Sequence, residues 1–123
     1  MVVEDISAMR VMIRQMLRNV GIQQVVEAAD GSAALQALRE QPVDLILSDW
    51  NMIPMTGLQL LRAVREEPRH RHTPFIMVTG QQTAEHVIRA RAAGVSGYLV
   101  KPFGASALAL QLSRVLRCGR GAA

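Results

Sequence analysis

The chain has 123 residues and a formal net charge of +4, with half of its residues hydrophobic and a fifth charged. This length suits one compact domain rather than two, and the composition is that of a folded rather than a disordered protein. No apolar run reaches the roughly 18 to 20 residues that span a bilayer, and the first residues lack the pattern of a secretory signal. The single cysteine, Cys118, cannot form an intramolecular disulfide, and the sequence therefore predicts a soluble cytoplasmic protein.

Short apolar runs alternate with amphipathic segments along the chain, which predicts alternating strands and helices. The predicted strands lie at residues 1–3, 25–28, 43–47, 75–78 and 98–100. Apolar residues at three- and four-residue spacing predict helices near residues 9–20, 34–41, 58–64, 84–93 and 108–116. Asp30 and Gly31 are typical of a turn.

Continuous apolar strands are typical of a parallel sheet that is covered by helices on both faces. With right-handed crossovers, this alternation predicts an α/β fold with an open, doubly wound sheet of five parallel strands. The sequence shows no internal repeat and no linker. We therefore expect one domain over residues 1–117, followed by a short tail at 118–123.

Polar side chains follow the predicted strands where each strand ends. Strand one runs into Glu4 and Asp5, strand three into Asp49, strand four into Thr79, and strand five into Lys101, the only lysine of the chain. Because open α/β sheets bind ligands beyond the carboxyl ends of their strands, these residues are predicted to converge on one candidate site.

Three carboxylates in one site need a cation among them or raised pKa values. Two like charges about 4 Å apart repel by roughly 4 kcal/mol at an effective dielectric constant near 20, and Lys101 can offset this for only one carboxylate. Oxygen ligands with open positions favour Mg²⁺, while a hydroxyl and a compact ammonium suit a phosphoryl group. A dinucleotide site is disfavoured, because acidic residues stand where it needs a glycine-rich turn.

Four segments carry a resemblance to a known family. They are Val2-Val3-Glu4-Asp5, Ser48-Asp49-Trp50-Asn51-Met52, Met77-Val78-Thr79-Gly80 and Gly97-Tyr98-Leu99-Val100-Lys101-Pro102-Phe103. With them the chain resembles the response-regulator receiver domains of two-component signalling, and among these the single-domain chemotaxis regulators. The resemblance implies the flavodoxin-like (βα)5 receiver fold with strand order 2-1-3-4-5.

The resemblance also implies roles for individual residues. Asp49 would be the phosphoacceptor, and Lys101 and Thr79 would contact the phosphoryl group. Tyr98 holds the switch position, whose ring turns inward when Thr79 is drawn to the phosphate. The Mg²⁺ ligands would be Asp5, Asp49 and the backbone carbonyl of Asn51, with Glu4 acting through water.

The implied function is that of a single-domain response regulator. It would accept a phosphoryl group from a sensor histidine kinase or a histidine phosphotransfer protein, and then change its affinity for a downstream protein. That target would be the flagellar motor switch or a relay protein. Such a chain is a phosphoacceptor signalling protein rather than an enzyme, and catalyses at most its own phosphorylation and dephosphorylation.

The chain departs from the pattern of the family it resembles. Ile53 replaces the usual proline, with Pro54 one place later, Thr56 stands where an acidic residue is frequent, and Gly80 stands where alanine is common. Only three residues precede Glu4 in the first strand. This predicts lost ladder hydrogen bonds, and with them a lower stability or a start codon placed too late.

Arginines form two groups that invite a role in binding. On the first helix they recur every fourth residue, which is typical of a solvated face or of a surface that steers an acidic partner; they are Arg10, Arg14 and Arg18. A second basic area would contain Arg62, Arg65, Arg69, Arg71, Arg89 and Arg91. No nucleic-acid motif accompanies either group, so nucleic acid is disfavoured as a partner, and no membrane partner is expected.

Three alternatives remain open at the level of the sequence. The first is a receiver module excised from a larger regulator. The second is a phosphatase with a nucleophilic Asp49, although Asn51 stands where that chemistry needs a second acid. The third is an arginine-rich module that binds nucleic acid, for which steeply salt-dependent binding would be the sign.

Overall fold

The computed structural model describes residues 1–80 and 83–121, with side chains as far as Leu116. In these residues five strands alternate with five α-helices, and a 3₁₀ turn covers Pro68–His70. The strands are β1 (Val2–Val3), β2 (Glu27–Ala28), β3 (Ile46–Asp49), β4 (Phe75–Thr79) and β5 (Gly97–Val100). The helices are α1 (Ser7–Asn19), α2 (Gly31–Glu40), α3 (Gly57–Glu66), α4 (Ala84–Ala92) and α5 (Ala105–Gly121).

The strands form one parallel sheet in the order β2-β1-β3-β4-β5, which confirms the predicted doubly wound sheet and its strand order. None of the helices within the described ranges is long and apolar enough to cross a membrane. The backbone of α5 reaches into the expected tail at 118–123. The side chain of Cys118 lies outside the described residues.

Alternate residues of the strands pack on opposite faces of the sheet. On one face they pack with buried residues of α2, α3 and α4, and on the other with those of α1 and α5. The first set of strand residues is Val3, Ile46, Phe75 and Met77, and the second is Val2, Leu47, Ile76 and Val78. The strands are thus buried on both faces, as their continuous apolar sequence predicts.

Three strands begin later than the sequence pattern predicts: β1 at Val2, β2 at Glu27 and β3 at Ile46. β2 contains only Glu27 and Ala28, because its one neighbour is β1 and the two residues of β1 align with these two. Val25 and Val26 therefore lie outside the ladder, apart from a 2.8 Å bond from the Val2 amide to the Val26 carbonyl. The short ladder agrees with the expected loss of ladder hydrogen bonds, while its effect on stability stays a prediction.

Side-chain caps begin α2 and α3. Asp30, predicted as part of a turn, instead caps α2, since its carboxylate accepts the Ala33 amide at 2.8 Å. Thr56 caps α3 by accepting the Gln59 amide at 3.2 Å, and the Gln59 side chain accepts the Thr56 amide at 2.9 Å. The threonine that departs from the family pattern thus forms a capping box directly beyond the candidate site.

Gly57 joins α3 closely to the end of β3. A Cβ at this position would lie 2.2 Å from the Asp49 carbonyl oxygen and 2.9 Å from the Trp50 Cα, both of them backbone atoms. The Gly57 amide also donates to the Trp50 carbonyl at 2.9 Å. Only glycine allows this approach, which holds α3 directly behind Asp49.

Candidate functional site

The carboxyl ends of four strands bring the predicted site residues to one edge of the sheet. Glu4 and Asp5 follow β1, Asp49 ends β3, Thr79 ends β4, and Lys101 follows β5. The ladders keep these ends in register, since Asp49 pairs with Val78 and Thr79 pairs with Val100. The Lys101 amide donates to the Thr79 carbonyl at 2.7 Å, which aligns the ends of β4 and β5.

Three carboxylates converge at this edge. Glu4, Asp5 and Asp49 each offer one oxygen, and these oxygens all lie within 4.8 Å of one another. Glu4 is 0% and Asp49 4% exposed, whereas Asp5 is exposed to solvent. The cluster is therefore buried at its base and open on one side, so a ligand can enter it from solvent.

Lys101 faces the two buried carboxylates. Its Nζ lies 3.1 Å from Asp49 Oδ1 and 3.5 Å from Glu4 Oε2. The first contact is an ion pair without the alignment of a hydrogen bond, and Asp49 Oδ1 accepts no hydrogen bond from the residues that the structure describes. A buried oxygen in this condition costs free energy unless a further donor or a cation reaches it.

The charge state of Glu4 responds to this crowding. Burial raises the pKa of Glu4 to about 7, and the nearby Asp49 charge adds to the rise. The Ile6 amide, which donates to Glu4 Oε1 at 3.2 Å, and the Lys101 ammonium act in the opposite direction on this pKa, while a hydrogen bond with Asp5 raises it further. The Glu4 carboxyl group is therefore only partly ionised near neutral pH.

Thr79 and Tyr98 form the second part of the site. Thr79 is 1% exposed, and Tyr98 is half-buried on β5. Burial raises the pKa of the Tyr98 phenol, and a hydrogen bond with the Thr79 side chain partly offsets this rise. The predicted switch pair is therefore in direct contact in this structure.

The residues after Asp49 lie in the loop between β3 and α3. Asn51 has an exposed side chain, and Trp50 is buried with 7% of its surface exposed. The Trp50 ring lies 4.8 Å from the His86 ring of α4, between centroids, at an interplanar angle of 59°. Sequence analysis missed this contact, because no spacing pattern links residues that are so far apart in the chain.

The arginine stripe of α1 is not a uniformly solvated face. Arg10 Nε lies 3.2 Å and Arg14 Nη1 2.6 Å from the two carboxylate oxygens of Glu27 in β2. Arg10 Nη1 also donates to the Glu4 carbonyl at 2.7 Å, whereas Arg18 is exposed. The sequence signal that could have found this is an acid in a strand next to a helix with two arginines one turn apart.

Arg65 does not belong to the second basic area. Its guanidinium donates to the carbonyls of Gly94, His70 and Thr73 at 3.0, 3.1 and 2.7 Å. Burial also lowers the pKa of Arg65. This residue ties α3 to the segments before β4 and β5, and the exposed members of the area are Arg62, Arg69, Arg71, Arg89 and Arg91.

The donor set fits a hard divalent cation. It consists of carboxylate oxygens, one of them buried without a hydrogen bond from the described residues, and one side of the cluster is open to water. Mg²⁺ prefers such oxygen ligands and keeps part of its water shell. No histidine or cysteine belongs to this cluster, so its chemistry is not that of a typical structural zinc site.

Residues 1–113 match the family described as response regulator receiver domain. The chain is similar to the chemotaxis protein CheY of Pseudomonas aeruginosa, with 43% identity over 94% of this chain and 93% of that protein. It is 38% identical to the chemotaxis protein CheY-3 of Vibrio cholerae, over 94% of this chain and 88% of that protein. The solved structure of the chemotaxis response regulator CheY4 of Vibrio cholerae has a TM-score of 0.86 and 37% identity, over 93% of this chain and 94% of the other.

Proposed function

The chain belongs to the response regulator receiver domain family, and from this premise we propose that it accepts a phosphoryl group at Asp49 and then changes its affinity for a protein partner. The proposal is carried by the buried Asp49 carboxylate, whose Oδ1 faces Lys101 but accepts no hydrogen bond from the described residues. CheY-like receiver domains are signalling proteins, and the chemical step proposed here modifies the chain itself.

In this step a carboxylate oxygen of Asp49 bonds to the phosphorus of a phosphohistidine. The P–N bond breaks, its electron pair stays on the imidazole nitrogen, and the product is an acyl phosphate. Lys101 supports the proposal, because its Nζ is already 3.1 Å from Asp49 Oδ1 and can pair with a phosphoryl oxygen. The catalytic contribution consists of positioning and charge neutralisation.

Mg²⁺ is part of the proposal, with Asp5, Asp49 and the Asn51 carbonyl as ligands and Glu4 acting through water. When bound, the ion supplies positive charge that offsets the carboxylates and the incoming phosphoryl oxygens. The raised pKa of Glu4 supports this role, because a proton on Glu4 partly relieves the repulsion between the carboxylates while no cation is present. Because Asp5 is exposed, the cluster is accessible from solvent on its side.

Phosphorylation changes the charge next to Thr79. An aspartyl phosphate carries more negative charge than a carboxylate and adds acceptor oxygens, as phosphorylation of other side chains does. A Thr79 hydroxyl that turns to such an oxygen gives up its hydrogen bond with Tyr98. Tyr98, half-buried on β5, then changes position, and this alters the surface that a partner meets.

The test is phosphorylation of the purified chain by acetyl phosphate with and without Mg²⁺. We expect one phosphoryl group per chain by intact mass, dependent on Mg²⁺ and absent from Asp49→Asn. The matched control is Asp44→Asn, which removes an exposed acid before β3 and leaves labelling intact. Labelling of the Asp49→Asn variant at the wild-type level would falsify the proposal.

The change of partner affinity is tested by capturing proteins from the source cytoplasm, where this function would operate. The bait is the chain with Mg²⁺, either with or without beryllofluoride as a mimic of the phosphoryl group. We expect a sensor kinase or phosphotransfer protein on the unmodified chain, and a motor or relay protein retained only with beryllofluoride. Identical capture in both arms, and on Asp49→Asn, contradicts the switch.

A further inference from the structure

Arg10 of α1 contacts the backbone of the segment that carries two of the proposed metal ligands. We propose that Arg10, held by Glu27, is a positioning residue that keeps Glu4 and Asp5 in their metal-binding arrangement. This inference rests on the proposed function, because it assumes that these two residues help to bind Mg²⁺. It adds a residue whose side chain lies outside the acidic cluster itself.

The side chain of Arg10 contacts the backbone of Glu4 rather than its carboxylate. Arg10 Nη1 donates to the Glu4 carbonyl at 2.7 Å, while the Glu4 amide donates to the Ala28 carbonyl at 3.1 Å. Both polar groups of the Glu4 backbone therefore have partners. A charged donor makes a stronger hydrogen bond than a neutral one, so Arg10 restrains the point at which the chain leaves β1 for Asp5.

Glu27 fixes the position of Arg10. Its Oε1 lies 3.2 Å from Arg10 Nε, and its Oε2 lies 2.6 Å from Arg14 Nη1. Because both carboxylate oxygens are paired, Glu27 holds the Arg10 guanidinium in one orientation. The guanidinium then uses a separate nitrogen for the Glu4 carbonyl. A single-nitrogen lysine cannot make both contacts in this fork geometry.

The sign of the effect separates positioning from simple electrostatics. A positive charge close to the acidic cluster repels a divalent cation, so removing the Arg10 charge should strengthen Mg²⁺ binding if charge alone mattered. If Arg10 positions the ligands, its removal weakens binding instead. Groups that orient metal ligands in this way typically change metal affinity by about tenfold or more.

Arg14 provides the matched control. It has the same charge, lies one turn further along α1 and pairs with the same Glu27, but no contact joins it to Glu4. Arg10→Met and Arg14→Met therefore remove equal charge and one ion pair with Glu27 each. Only Arg10→Met removes the hydrogen bond to the Glu4 carbonyl.

The experiment titrates each variant with MgCl2 and follows the fluorescence of Trp50, which lies next to Asp49. We expect Arg10→Met to raise the dissociation constant for Mg²⁺ by about tenfold and Arg10→Lys to raise it by less, whereas Arg14→Met should leave it unchanged or lower it by no more than about twofold. At saturating Mg²⁺, the rate of phosphorylation of Arg10→Met by acetyl phosphate should return to near the wild-type rate. Amide hydrogen exchange at Ile6 should be faster in Arg10→Met than in Arg14→Met.

Either of two outcomes overturns the inference: tighter or unchanged Mg²⁺ binding in Arg10→Met, or equal weakening in the Arg10 and Arg14 variants. If Arg10→Met does not fold, Arg10→Lys against Arg14→Lys decides in the same way. Failure of the proposed function is distinguishable, because wild-type protein would then bind no Mg²⁺ or would not be labelled at Asp49. Normal wild-type behaviour with an unaffected Arg10→Met rejects only the role of Arg10.

Discussion

The two ends of the central sheet differ in how their charged side chains are paired. At the amino ends of β4 and β5, the Arg65 guanidinium donates to three backbone carbonyls. At the carboxyl ends, Asp49 and Glu4 share the single ammonium of Lys101, and Asp49 Oδ1 accepts no hydrogen bond from the described residues. Charge at the first end is paired with backbone carbonyls, whereas the second end leaves a buried carboxylate oxygen without a hydrogen bond from the described residues. We therefore expect Arg65 to contribute to stability at one end, while the proposed chemistry lies at the other.

The largest effect on stability should follow from removing the hydrogen bonds of Arg65 to backbone carbonyls. Arg65→Met leaves three carbonyls without their charged donor, and we expect the free energy of unfolding to fall by about 3 kcal/mol. Urea unfolding measures this change. Arg62→Met, an exposed arginine of the same helix, should change the free energy by less than about 0.5 kcal/mol. Equal effects of the two substitutions would mean that the Arg65 contacts contribute nothing.

At the carboxyl ends of the strands, Glu4→Gln should raise the free energy of unfolding, whereas Arg65→Met lowers it. This holds for protein freed of metal by a chelator. The folded-state pKa of Glu4 is raised from 4.5 to about 7, so the folded protein holds this proton more tightly than the unfolded chain. Its contribution to stability is full below pH 4.5 and is lost as the pH rises to about 7. Glu4→Gln should therefore raise the free energy of unfolding at pH 8 by about 2 kcal/mol and flatten its pH dependence.

The measurement is urea unfolding at pH 5 and pH 8 with the chelator present. Glu66→Gln removes an exposed glutamate of α3 and should leave the difference between the two pH values unchanged. A Glu4→Gln variant that keeps the pH dependence of the wild type would show that Glu4 is not the titrating group. A loss of stability at pH 8 would show that its charge is better satisfied than its surroundings indicate.

The smallest effect concerns the contact between Thr79 and Tyr98. A double-mutant cycle with Thr79→Val and Tyr98→Phe should give a coupling energy of about 1 kcal/mol in the unphosphorylated chain. If the proposed function holds, beryllofluoride with Mg²⁺ should reduce this coupling, because Thr79 would then bond the phosphoryl mimic. A coupling energy that is the same in both states would show that Tyr98 does not take part in the switch.

The strand ends were the most predictable part of this molecule. Asp49 lies far from Glu4 and Asp5 in the sequence, yet a parallel sheet brings the residues that follow its strands to one edge. The burial of β3 and β4 on both faces also follows from their continuous apolar sequence. The strand order came from the family resemblance, because alternation alone allows other orders.

The arginines were the least predictable part. Their spacing marks a helix face, but whether a guanidinium points to solvent or to a carbonyl depends on elements distant in sequence. Glu27 captures two arginines of α1, and the carbonyl of Gly94 lies beside Arg65. The length of β2 was missed for a similar reason, since a strand extends only as far as its neighbour β1.

The close approach of Gly57 to the Asp49 carbonyl limits the directions in which the end of β3 can move. Because backbone atoms of Asp49 and Trp50 would lie within 3 Å of a Cβ at this position, the start of α3 and the end of β3 have no room to approach each other further. A displacement of the end of β3 towards α3 is therefore closed, and any movement there has to take another direction. The absence of a Cβ at Gly57 thus removes one direction of movement at the end of β3.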